Sequence, residues 1–106
     1  MARAESRIRV RVLVRSRPAA LLAAIREYAT EREGRPWSIK RRRPLVLRHA
    51  SPRAANVSYT FSRDDADIEL RVAGKSARLA LAYAVTLLAN TRFADHIQRF
   101  EVELPA

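Results

Sequence analysis

The chain has 106 residues, 21 of them Lys or Arg and 11 Asp or Glu, for a formal net charge of +10. That length suits one domain, and a composition 48% hydrophobic and 30% charged is that of a globular chain rather than a disordered one. With no cysteine, a disulfide framework, a thiol nucleophile and a Cys-ligated zinc site are excluded.

From Arg7 to Arg15 the chain alternates: Ile8, Val10, Val12 and Val14 share one parity, while Arg7, Arg9, Arg11 and Arg15 hold the other. This spacing predicts a half-buried strand. Pro18 suits a first helical position, Leu21, Leu22, Ile25 and Tyr28 fall on one helical face, and Gly34 with Pro36 supplies a stop. A helix is expected from Pro18 to about Glu33. The stretch from Arg35 to Ala55 holds three prolines, the only Trp and a basic cluster. Within it, Pro44 to Arg48 is expected as at most a short edge strand or a loop.

Asn56 to Ser62 and Asp67 to Val72 alternate on either side of Arg63-Asp64-Asp65-Ala66, the pattern of a hairpin. A four-residue turn would set Phe61 opposite Ile68, Tyr59 opposite Leu70 and Val57 opposite Val72. Ser76 can then cap a helix running to about Asn90 or Phe93. A last strand, Gln98 to Leu104, places Phe100, Val102 and Leu104 on one parity.

The expected order is β, α, possible β, β, β, α, β in one α+β domain over residues 1–106. Two helices on one face of a mainly antiparallel sheet give a ferredoxin-like (split βαβ) arrangement, with one extra short edge strand at most. The helices are Ala-rich and could approach each other closely. The first strand would lie between the strands around Glu69 and Glu101. Its arginines would then stand opposite glutamates on the open face. An RNA-reading sheet of the RRM kind stacks bases on aromatics of its central strands, and here Tyr59 and Phe61 fall on the core parity instead.

Any nucleic-acid contact is therefore expected from the basic segment. Of the 21 cationic residues 19 are Arg, and a coding bias can raise that number, but placement is harder to attribute to bias. Residues 1–53 carry 15 basic and 4 acidic residues, a net +11, and residues 54–106 a net −1. No Asp or Glu occurs between Gly34 and Arg63. The candidate nucleic-acid-binding residues are Arg35, Trp37, Lys40, Arg41, Arg42, Arg43, Arg48 and Arg53, guanidinium groups for phosphates and an indole for a base. Trp37 also reads as a packing residue sealing the end of the first helix.

Other signals are weaker. Gly74-Lys75-Ser76 ends like a phosphate loop, but Glu69 stands where its first Gly should be, which leaves helix capping. His49 and His96 have no second His at metal-ligand spacing, and no Ser sits in a nucleophile elbow. Asp64, Asp65 and Asp67 suit turn geometry, with a metal or phosphate role as the rarer alternative. The second helix is apolar around much of its circumference, so Leu79, Tyr83 and Leu87 are candidates for an interface, either a homodimer or a partner protein.

Two functions are expected in competition. The first is a non-enzymatic module, without metal or cofactor, that grips nucleic acid electrostatically, RNA ahead of DNA. The second is a protein-interaction or dimerisation module that uses the apolar second helix or an open sheet edge and whose basic segment meets an acidic partner. The N-terminal arginines interrupt any secretory apolar run and nothing approaches a membrane span, so a cytoplasmic location without membrane contact is expected.

Overall fold

A computed structural model describes residues 6–15, 17–32, 37–49 and 57–103. The elements run β1 (Ser6–Val14), α1 (Pro18–Glu31), β2 (Trp37–Arg42), β3 (Leu45–His49), β4 (Val57–Asp64), β5 (Asp67–Gly74), α2 (Ala77–Leu88), a single 3-10 turn (Thr91–Phe93) and β6 (Ile97–Glu103). The six strands form one antiparallel sheet in the order β2-β3-β4-β5-β1-β6. The fold is thus α+β, with a sheet wider than the simple four-stranded plan. The single extra edge strand expected becomes two: β3 is interior, and β2, which the prolines and basic residues concealed, forms the edge.

The alternation seen in the sequence decides which face is buried. Val10, Leu70, Phe61 and Leu45 are directly paired across β1, β5, β4 and β3, and all four are buried. Because paired residues project to the same side, this row and its neighbour, Ile8-Val72-Tyr59-Leu47, make one apolar face. Leu21, Ile25 and Ala29 of α1 and Ala80, Ala84, Leu87 and Leu88 of α2 complete the same core. Pro18 opens α1, and the Ser76 hydroxyl caps α2 by accepting from the Leu79 N–H at 3.1 Å, so this serine serves the helix and not a phosphate loop.

Two packing expectations are corrected. The β4–β5 turn has two residues, not four, so Tyr59 pairs with Val72, Phe61 with Leu70 and Arg63 with Ile68. Parity survives because the slip is an even number, and Asp65, at φ 58°, provides the left-handed residue that so tight a turn needs. The helices do not pack along one another: α1 lies over β2 and β3, and α2 over β1 and β5. The C-terminal end of α1 meets the 91–93 turn instead, where the Arg92 guanidinium donates to both Glu31 carboxylate oxygens at 2.6 and 2.8 Å. That forked hydrogen bond and the cationic charge of Arg92 hold the Glu31 carboxyl below its ordinary range.

Leu70→Ala is expected to lower unfolding free energy by about 2 to 5 kcal/mol, and Ser76→Ala by about 1 kcal/mol, both read by urea denaturation. A Leu70→Ala loss below about 0.5 kcal/mol, the range of a surface change, would contradict the packing described.

Candidate functional site

The basic cluster is a β-hairpin. β2 pairs with β3, Trp37 opposite His49 and Arg42 opposite Leu45, and the turn holds Arg43 and a cis Pro44. A bulge between Ile39 and Arg41 shifts the register by one residue and so decides which side of the sheet Arg41 and Arg42 each take. Arg42 shares the helix side with buried Leu45, while Arg41 shares the open side with Val46. Arg48 is paired with Ser58 and also lies on the open side. Lys40, Arg41, Arg42 and Arg43 are all exposed. Arg35 and Arg53, the two remaining cationic candidates, lie outside the described residues.

On the helix side, a concavity of about 550 Å³ opens between α1 and the hairpin turn. Arg26 from α1, Arg42 and Arg43 from the hairpin and Arg63 from the end of β4 line it, together with Leu22, Pro44, Leu45 and Phe61. Among the described residues no carboxylate lines this groove, and none of these four arginines, nor Lys40 or Arg41, makes an ion pair. The Arg26 Nε is enclosed without a hydrogen-bond partner among the described residues. A buried N–H donor left unmatched costs about 1 to 3 kcal/mol. Arg26 was not foreseen because it stands alone on α1, four residues after Leu22, and Arg63 because the assumed four-residue turn removed it from the sheet.

The open face of the sheet differs. Arg9 lies 3.0 Å from Glu69 and 3.8 Å from Glu103, Arg71 lies 2.9 Å from Glu69, Arg11 lies 3.3 Å from Asp67, and Arg99 lies 3.6 Å from Glu101. These arginines are internally neutralised, as the first-strand reading expected. Asp67 also accepts from the Val14 N–H at 3.4 Å, so it serves the sheet, and no group of metal-ligand residues is found among those described.

A third feature was not foreseen. Since α1 covers β2 and β3 while α2 covers β1 and β5, a cleft of about 360 Å³ remains between them, lined by Tyr28, Trp37, His49, Tyr59, Tyr83, Thr86, Leu87 and Asn90. The rings meet edge to face: Trp37 and His49 centroids lie 4.8 Å apart, His49 and Tyr83 5.0 Å, and Tyr28 and Trp37 6.1 Å. Trp37 is only 8% exposed and Tyr59 1%, so both form the floor. Trp37 is therefore the packing residue at the end of α1 and offers no free face beside the basic groove, which corrects its grouping with the phosphate-binding arginines. Burial pushes the Tyr59 hydroxyl far above its ordinary range. Burial also lowers the His49 imidazole, whose Nδ1 is enclosed with no partner among the described residues. Individually Trp37, His49 and the tyrosines resemble core residues, and only the tertiary packing gathers them.

The proposed interface on α2 changes as well. Leu87 is buried at 3% exposure and cannot anchor a partner, and Leu79 and Tyr83 are half-buried against the core. Val85 is the large apolar side chain that α2 exposes, at 38%. No described helix is long and apolar enough to cross a membrane. Comparison with family models, curated proteins and solved structures returns no match.

A histidine whose folded value is depressed contributes stability that is intact above the unfolded value and is lost as pH falls through the folded one. The NMR titration midpoint of His49 is accordingly expected below the ordinary 6.5 and below its value in the urea-unfolded chain. A midpoint at or above the unfolded value would contradict the enclosure of the ring.

Proposed function

We propose that the protein is a non-enzymatic module that binds nucleic acid, single-stranded RNA ahead of DNA, through the basic groove and hairpin. The observation that carries this reading is the carboxylate-free groove in which Arg26, Arg42, Arg43 and Arg63 converge unpaired beside Lys40 and Arg41. In this reading β4-β5-β1-β6 is a split βαβ, ferredoxin-like core, to which the β2–β3 hairpin is added as the ligand-gripping edge. The strand order and the placement of both helices on the apolar face support it.

The mechanism is electrostatic. Guanidinium groups contact phosphates bidentately, and each contact releases a condensed counterion. Six contacts on a single strand correspond to a log-log salt slope of roughly −4 to −5. Leu22, Pro44 and Phe61 give the groove an apolar floor on which sugars and bases can rest. The competing dimerisation reading loses its α2 form because Leu87 is buried and the described part of α2 exposes Val85 as its large apolar side chain.

Fluorescence anisotropy with labelled single-stranded RNA, single-stranded DNA and duplex DNA tests the proposal. Replacing Arg42, Arg43 and Arg63 together by Ala is expected to weaken binding and to reduce the single-strand salt slope by about 2. Replacing Arg9, Arg71 and Arg99 by Ala removes the same formal charge from the neutralised face and is expected to leave the slope nearly unchanged. Equal losses in the two variants would mean that net charge, not this groove, governs binding.

A further inference from the structure

All three tyrosines and the only tryptophan of the chain line one cleft between α1 and α2. Among the described residues no Asp, Glu, Lys or Arg lines it, which disfavours a charged ligand. Its rim is nevertheless polar. The Asn90 Oδ1 already accepts from the Arg92 N–H at 2.9 Å, so its amide NH₂ remains to donate. The Thr86 hydroxyl donates to the Ala82 carbonyl at 2.8 Å and keeps its capacity to accept. Burial lowers the His49 imidazole, and enclosure of Nδ1 leaves Nε2 as the ring nitrogen open to a ligand.

An aliphatic occupant would strand these groups, whereas a flat uncharged ring with donors and acceptors on its edge would match them while its face met Tyr83, since the Arg32 guanidinium already covers the Tyr28 ring at 3.9 Å from its centroid. A volume of about 360 Å³ falls at the small end of the range for ligand pockets.

We propose that this cleft binds one nucleobase, its ring against Tyr83 and its hydrogen-bonding edge towards Thr86, Asn90 and His49. The base can come from a free nucleoside or from a strand held in the basic groove. Leu45 at the groove and His49 at the cleft stand at the two ends of β3, about 13 Å apart at roughly 3.3 Å per residue. The second source rests on the nucleic-acid reading, and the first is independent of it.

Trp37 sits on the cleft floor and, as the only tryptophan, reports occupancy by its emission. The full chain is titrated with adenosine, guanosine, cytidine and uridine, then with single-stranded RNA and an abasic strand of equal length, with circular dichroism to verify the fold of each variant. The expected result is a saturable change with a nucleoside, unaltered when Arg42, Arg43 and Arg63 are Ala. Tyr83→Ala or Asn90→Ala should weaken it about tenfold or more, as loss of stacking or of a hydrogen bond does. A change with RNA but with neither nucleosides nor the abasic strand assigns the base to a bound strand, and it should vanish in the arginine variant. No saturable change with any nucleoside or with RNA, or a change untouched in folded Tyr83→Ala and Asn90→Ala, overturns the proposal. If RNA fails to bind by anisotropy while a nucleoside alters Trp37, the cleft stands and the nucleic-acid reading falls.

Discussion

The antiparallel register that seats β1 between β5 and β6 determines where this molecule is charged. It sets Arg11 directly opposite Glu69 on one side and Glu101 on the other, and Arg9 opposite Glu103. Eleven carboxylates cannot match 21 cations, and the register gathers Asp67, Glu69, Glu101 and Glu103 on the arginines of one face. A slip of β1 by one residue would turn Arg9 and Arg11 towards the helices and Val10 towards water. The apolar core and the neutralised face therefore have a common origin. The individual ion pairs are exposed and each contributes little to stability, so their importance lies in what they leave bare elsewhere.

Among the described cations that they leave bare are those of the β2–β3 hairpin and Arg26 on the flank of α1 beside it. Contiguous arginines on a flat strand would point alternately to the two sides in any case. The bulge at Lys40 decides which goes where, sending Arg42 to the groove with Arg26 and Arg63 and Arg41 to the open face. The groove is thus assembled from α1, the hairpin turn and β4, segments distant in sequence. At the other end of the same hairpin, Trp37 pairs with His49 and joins Tyr28, Tyr59 and Tyr83 in an uncharged cleft. One hairpin carries a charged end and an aromatic end.

Much of the fold was legible because hydrophobic parity and register are coupled. Ile8 to Val12 and Val57 to Phe61 showed period-two patterns that could bury only one face, and the β1–glutamate pairings followed from placing β1 between its neighbours. Where the reading failed, a local feature hid a tertiary one. Pro44 argued against regular structure, yet it occupies a turn where no ladder donor is needed. Asp64 looked like a turn residue, but positive φ at Asp65 let the ladder run on to Asp64 opposite Asp67. The cleft could not be read at all, since Tyr28, Trp37, His49 and Tyr83 carry no mutual spacing and meet only because the two helices rest on different strands.

The central claim is that function follows from which arginines lack an internal partner, and backbone and arginine side-chain NMR of the protein titrated with a short single-stranded RNA tests it most directly. The account predicts shift changes concentrated at Arg26, Arg42, Arg43 and Arg63 and small ones at Arg9, Arg11 and Arg71. Changes centred on the ion-paired face, or spread evenly over all the arginines, would contradict it.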